Sequence, residues 1–271
     1  MKKMKKLFAL LLTLSMSLCL VACGEEPEKP EATDDNLDRT ITYAVEAGST
    51  AEEIALEKDL NAKTFPTQMH ALTDVDTGNS KACICDSVLA YANVGEGKRY
   101  ANLKVNPAGL NEELLGVACR KGSDLASFVN YVLSETYMLG TMQEVAKEYG
   151  IEDLLVAQTN CKFDQAANDS DVQYIKDKGT LVIGMTEYAP LNFKGLNGSW
   201  IGFDADMAKL VAGKLGVEAV FSPIDRNRQL EALNTKYVDV LWNGMTITEA
   251  RQEVATFSNA YCNNAQVIVS K

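Results

Sequence analysis

The chain has 271 residues, 46% of them hydrophobic, and its 26 basic and 37 acidic side chains give a formal charge of −11. That is enough apolar chain for one bilobed domain or two small ones with a proper core. The acidic balance argues against nucleic acid as a partner, and a single histidine, His70, with no serine or cysteine nucleophile beside it argues against a His-dependent triad.

Residues 1–22 hold Lys2, Lys3, Lys5 and Lys6 and then an apolar run from Leu7 to Val21, the form of a secretory signal. The run is too short and too one-sided for a stable transmembrane anchor. Leu20-Val21-Ala22-Cys23-Gly24 resembles the lipobox of bacterial lipoproteins, which implies lipidation of Cys23 and a cell-membrane location on the extracytoplasmic face. Cleavage there takes four lysines and no acid from a charge of −11, leaving −15. The following segment, Gly24 to Asp38, contains seven acids, two prolines and one lysine, a composition that cannot offset the entropy of folding and predicts a disordered tether over 23–38.

From Arg39 the pattern is globular. Thr40 to Val45 alternates as a strand, and Gly48-Ser49-Thr50 turns into an amphipathic helix carrying Ile54, Leu56 and Leu60. The turn offers helix N-terminal amides and the hydroxyls of Ser49 and Thr50 to an anion; capping of the helix alone is the alternative. A second helix is predicted from Thr67 to Asp76. Lys81 to Ser87 reads as a buried strand ending at Asp86, an acid just past a strand's carboxyl end, where α/β crevices open, so Asp86 is a candidate partner for an ammonium group. A surface aspartate is the plainer alternative. Ser123 onward is helical, with Leu125, Val129, Val132 and Leu133 on one face, and Thr141 with Glu144 predicts a capping box for a further helix ending at Gly150. Ile151 to Ser170 lacks sustained periodicity and reads as a linker.

A helix is then predicted from Val172 to Lys178, followed by the strand Thr180 to Thr186 and the loop Tyr188-Ala189-Pro190-Leu191-Asn192-Phe193. Gly202-Phe203-Asp204 leads into a helix with Met207, Leu210, Val211 and Leu215 on one face and Gly216 as its stop. Val217 to Ser222 reads as a strand and Arg228 to Thr235 as a helix. The apolar run Tyr237 to Trp242 reads as a strand entering Asn243-Gly244-Met245-Thr246-Ile247-Thr248-Glu249-Ala250-Arg251, which gathers amides, hydroxyls and a guanidinium suited to a carboxylate. The last strand is Gln266 to Lys271.

The stretch from Asn243 to Arg251 resembles a signature of the extracellular solute-binding proteins that serve polar amino-acid ABC importers. Gly48-Ser49-Thr50 and the segment from Gly116 to Leu125 are similar to two further signatures of that family, but in a different order. In the family the Gly-Ser-Thr segment follows the Thr…Arg segment, whereas here it precedes it. The resemblance implies an α/β fold of the periplasmic-binding-protein-like type II class, two lobes joined by a hinge, with permuted lobe order: a second-lobe equivalent over 39–112, a hinge strand and helices over 113–150, a linker over 151–170, and a first-lobe equivalent over 171–271. Circular permutation is the simplest account, since termini of domains commonly lie close together, and halves of tandem receptors or lobe swapping are the competing ones.

The resemblance further implies that Arg251, Thr246, Thr50, Ser49 and amides near Asn243 hold an α-carboxylate. Asp86 and the Gly244 carbonyl would hold an α-ammonium, and Tyr188 would pack on the ligand side chain. Two departures touch that pocket. Leu191 stands where the family's binding loop carries an aromatic, and Arg226 stands where close relatives carry a tryptophan. A guanidinium there is expected to favour an acidic or strongly polar ligand. No cofactor, metal or nucleic acid is expected. Cys83-x-Cys85 lies on one face of a buried strand and is read as core in preference to a soft-metal chelate. The partners implied are an amino acid, an importer permease and a membrane reached through a lipid anchor. An enzyme resembling cyclohexadienyl dehydratases, or a sensory remnant without a permease, are the alternative functions.

Overall fold

The computed structural model describes residues 37–106, 110–164 and 170–271. The chain divides into two units, Met1–Glu31 and Ala32–Lys271, and all described residues fall in the second. The secretory signal, Cys23 and nearly all of the tether lie outside the described residues. Leu37 and Asp38, counted above as tether, belong to the folded part: Leu37 packs against the cluster of Tyr43, Val45 and Ile84, and Asp38 accepts hydrogen bonds from the Thr40 amide and hydroxyl.

The first part of the chain builds β1 (Thr42–Glu46), α1 (Thr50–Glu57), β2 (Asn61–Phe65), α2 (Gln68–Asp76), β3 (Ala82–Asp86), α3 (Ser87–Asn93) and β4 (Lys104–Val105). Strand β1 runs parallel to β2 and β3, as βαβ crossovers require. Helix α1 is pinned by Ser49, whose side chain accepts from the Glu52 amide, and α2 by Thr67, whose side chain accepts from the His70 amide. The apolar face of α1 differs from the expected one. Leu56 is 74% exposed, while Leu60 is buried beyond the helix end; two residues from Ile54, Leu56 points to the opposite side of a 3.6-residue turn.

Strand β5 (Asn111–Arg120) leads to α4 (Leu125–Met138) and α5 (Thr141–Glu148). The predicted capping box at Thr141 is not formed. Gly140, with φ of 83°, is the cap, and Thr141 is already the first helical residue, with no side-chain cap bond. The presumed linker is in part packed: the Val156 amide donates to the Tyr261 carbonyl at 3.0 Å, Gln158 reaches the Ala260 carbonyl at 2.7 Å, and Ser134 accepts from the Cys161 amide at 2.9 Å. These contacts satisfy backbone groups that an aperiodic sequence leaves without a ladder.

The remainder comprises α6 (Asp171–Lys178), β6 (Thr180–Met185), β7 (Phe193–Lys194), β8 (Trp200–Ile201), α7 (Phe203–Leu215), β9 (Glu218–Pro223), α8 (Gln229–Asn234), β10 (Val240–Thr246), α9 (Glu249–Val254), β11 (Ala255–Phe257) and β12 (Cys262–Ser270). Gly179 and Gly216 end α6 and α7 in the left-handed conformation. Helix α7 buries Phe203, Met207, Ala208, Val211 and Leu215; Leu210, expected on that face, is 36% exposed.

One sheet joins the parts in the order β2-β1-β3-β12-β5-β10-β6-β9. On one flank β1 is parallel to β2 and β3; on the other β6 is parallel to β9 and β10. Between them β12 and β5 are antiparallel neighbours, paired from Cys262 with Leu115 to Gln266 with Asn111. The far end of β12 continues along β3 and the far end of β5 continues along β10. Strand β12 therefore enters the first flank and β5 the second, and the lobe built around β1–β3 is linked to the lobe built around β6, β9 and β10 through the pairing of these two strands. The fold is mixed α/β, and the last strand of the chain completes the sheet begun by its first.

Candidate functional site

Strand β10 is buried along its whole length, and its register on β5 shifts between Leu241 and Met245. The irregularity falls at Gly244, whose φ is +62° and whose amide donates to Asp204 Oδ2 at 2.9 Å. A Cβ on Gly244 would meet Tyr188 Cε1 at 2.2 Å, so glycine alone lets the ring lie against the strand. Burial pushes the Asp204 carboxyl up to about 6. Sequence reasoning missed Asp204 as a positioning residue and read it only as part of the lead into a helix.

Past the irregularity the chain turns into α9, where the Thr248 hydroxyl accepts from the Arg251 amide at 3.2 Å. The Arg251 guanidinium donates to the Thr246 carbonyl at 3.1 Å and to the Thr50 hydroxyl at 3.4 Å, and pairs with Glu53 at 2.8 Å. Thr50 in turn bonds the Thr246 hydroxyl at 3.3 Å. Arg251, Thr246 and Thr50 thus converge from the two lobes. Ser49 does not join them: its hydroxyl donates to the Glu46 carbonyl at 2.7 Å and caps α1, so the plainer expectation describes it.

Asp86 is 5% exposed at the end of β3. It accepts from the side-chain amides of Gln68, Asn264 and Gln266, the last at 2.7 Å. Glu113, on β5, accepts from the same two amides of Asn264 and Gln266, at 2.8 and 3.0 Å, and from the Thr246 hydroxyl at 3.0 Å. Burial and the neighbouring Asp86 charge raise the Glu113 carboxyl above its ordinary range. A continuous polar path therefore runs from Arg251 through Thr50, Thr246, Glu113 and Asp86 to Gln68.

Sequence reasoning missed Glu46, Gln68, Glu113, Asn264 and Gln266. A signal existed for two of them: Asn264 and Gln266 sit two apart in the closing strand, the spacing that puts polar groups on one face.

Arg226 contradicts the expected pocket role. Its guanidinium is buried and pairs with Glu46 across the lobes, Nε to Oε2 at 2.9 Å, and it also donates to the Thr186 hydroxyl at 3.1 Å. A charge already neutralised by Glu46 does not draw an acidic ligand. Asn243 is also turned away: its side-chain amide donates to Gln229 Oε1 at 3.1 Å inside the lobe, and its carbonyl faces Arg226 at 3.5 Å. Tyr188 is 1% exposed, bridged to Asn192 through its backbone, with its hydroxyl lacking a hydrogen-bond partner. Cys83 and Cys85 are buried and free.

Residues 181–271 match the family model described as bacterial extracellular solute-binding proteins, family 3. The chain is similar to the L-cystine-binding protein TcyJ of Escherichia coli (strain K12), 34% identical over 107 residues, covering 39% of this chain and 40% of that one. It is also similar to the arginine-binding extracellular protein ArtP of Bacillus subtilis (strain 168), 36% identical over 95 residues, covering 35% of this chain and 37% of the other. Among solved structures, the ancestral amino acid-binding protein AncCDT-1, a precursor of cyclohexadienyl dehydratase, is 40% identical over 31% of this chain and 37% of its own, with a TM-score of 0.30. The chain spans about 40% of the length of the curated relatives it matches. Together with the α/β architecture, the family match to residues 181–271 agrees with the expected periplasmic-binding-protein-like type II class.

Proposed function

We propose that this chain is an extracytoplasmic amino-acid-binding lipoprotein that captures a polar amino acid between two lobes and delivers it to an ABC importer. The observation that carries the proposal is the convergence of Arg251, Thr50 and Thr246 with Asp86 along one buried path between the lobes. A guanidinium with two hydroxyls suits an α-carboxylate, and a buried carboxylate within the same path suits an α-ammonium. In this reading Tyr188, whose ring lies against Gly244, packs on the ligand side chain, and the Gly244 carbonyl joins Asp86 in holding the α-ammonium. The named relatives, which bind cystine and arginine, support the ligand class. Cys23 anchors the chain to the membrane through its lipid.

Circular permutation is part of the proposal. The strands that would open the first lobe, β6, β9 and β10, follow in sequence those that would form the second, β1 to β3, while β12 returns to pair with β3. Leu37 and Ile268 pack against one small cluster, which puts the two ends of the folded part close enough to be joined.

Isothermal titration of the full mature chain with each free amino acid tests the binding function. Saturable one-to-one binding of a polar amino acid is expected, with micromolar affinity corresponding to about 8 kcal/mol. Absence of binding across the set, or turnover of prephenate or arogenate, contradicts it.

A further inference from the structure

The junction between the lobes holds more buried negative charge than an uncharged amino acid can balance. Glu46, Asp86 and Glu113 are 1%, 5% and 6% exposed. The cations facing them are the guanidiniums of Arg226, paired with Glu46, and Arg251, joined to Glu113 through Thr246. Asp86 and Glu113 share the same two neutral amides, those of Asn264 and Gln266, and neither has a cationic hydrogen-bond partner among the described residues. Lone carboxylates in such a setting carry a large desolvation cost unless a cation joins them.

Two further groups point to a ligand. The Tyr188 hydroxyl is fully buried without a partner and lies within electrostatic reach of Asp86 and Glu113. Glu46 Oε1 is likewise buried and unpartnered, although its other oxygen pairs with Arg226. Polar atoms buried in this way are rare and costly in a site that already has its full set of partners.

We propose that the site takes an amino acid carrying a second positive charge, with the Asp86–Glu113 pair balancing the α-ammonium and the side-chain cation together. This inference rests on the amino-acid-binding function proposed above. A zwitterionic amino acid supplies one positive group to the pair and gives its negative group to Arg251, so one buried carboxylate stays without a cation. A cationic amino acid completes the balance, and an acidic one adds to the excess. Glu113 is then a specificity-determining residue on the strand that links the lobes, and Arg226 sets the charge count by occupying Glu46.

The test uses ligand pairs that differ in charge and little in shape, titrated by calorimetry into the full mature chain: L-arginine against L-citrulline, and L-ornithine against L-glutamine. The cationic member of each pair is expected to bind about 30-fold more tightly, the size of one hydrogen bond to a charged group. In Glu113→Gln, which keeps the side-chain volume and removes the charge, that ratio is expected to fall about tenfold. Equal affinity of the wild-type chain for arginine and citrulline overturns this inference and leaves the amino-acid-binding function standing. Failure of all four to bind, together with every other amino acid, overturns both. An undiminished ratio in a Glu113→Gln protein that melts as wild type removes Glu113 from the recognition.

Discussion

The Glu46 carboxylate and the Arg226 guanidinium meet at 2.9 Å, each almost wholly buried, and they come from opposite flanks of the sheet, Glu46 from the end of β1 and Arg226 from the short 3-10 turn Arg226–Arg228 after β9. Arg226 also donates to Thr186, so this pair clamps the end of β1 to the lobe that follows the linker.

Removal of one partner of such a pair leaves the other charge buried and alone. Arg226→Ala is expected to cost about 3 to 5 kcal/mol of stability, and the double variant Glu46→Gln with Arg226→Ala to recover at least half of that loss. Urea denaturation of the single and double variants measures both quantities. A cost below about 1 kcal/mol for Arg226→Ala would contradict a buried clamp.

Arg251 acts on binding more than on folding, because its partners Glu53 and Thr50 lie at the edge of the lobe junction and Glu53 is largely exposed. Arg251→Ala is expected to lower amino-acid affinity by at least about 100-fold, the loss of a desolvated charge pair worth about 3 kcal/mol. The melting temperature is expected to stay within a few degrees of wild type. Calorimetry giving wild-type affinity would remove Arg251 from the site.

The signature around Arg251 was legible because its chemistry is local: an apolar strand, a turn and a helix start lie within one short stretch. The main strands and the glycine stop of α7 were legible for the same reason. Glu46, Glu113, Asn264 and Gln266 were not, since their meaning comes from pairing between β1, β5 and β12, which are distant in sequence. Arg226 was misread on that account. Its position fixed where the guanidinium lies, but only the fold supplied the carboxylate that takes up its charge. Leu56 and Thr141 failed for a smaller reason, a helix boundary or face displaced by one or two residues.

Gly244 carries two constraints at once, a φ of +62° and the Tyr188 ring where a Cβ would stand. Gly244→Ala is expected to destabilise the chain by about 2 to 5 kcal/mol, combining the left-handed backbone penalty with overpacking. Thermal unfolding checks the loss. A variant with unchanged stability would mean that the ring and strand can separate freely.

Asp204 gives a pH dependence of known sign. Its carboxyl titrates at about 6 in the fold against an ordinary value of 3.8, because burial disfavours the charged form. The folded chain therefore binds more protons than the unfolded one between those values, and this group's contribution to stability falls as pH rises from about 4 to 6, by roughly 3 kcal/mol. Asp204→Asn, which keeps an acceptor for the Gly244 amide, is expected to flatten that part of the stability curve. A slope unchanged in the variant would assign the dependence to other groups.

The most direct measurement is lobe closure within a single chain. Dyes placed at Leu56 and Tyr237, both well exposed and on opposite lobes, report the separation in the monomer at nanomolar concentration. Because a ligand closes the lobes only through its greater affinity for the closed form, energy transfer is expected to rise on addition of the bound amino acid. Half-saturation should match the calorimetric affinity and stay independent of protein concentration. Transfer that is unchanged by every amino acid, or that changes only as the protein is concentrated, would contradict capture between two lobes of one chain.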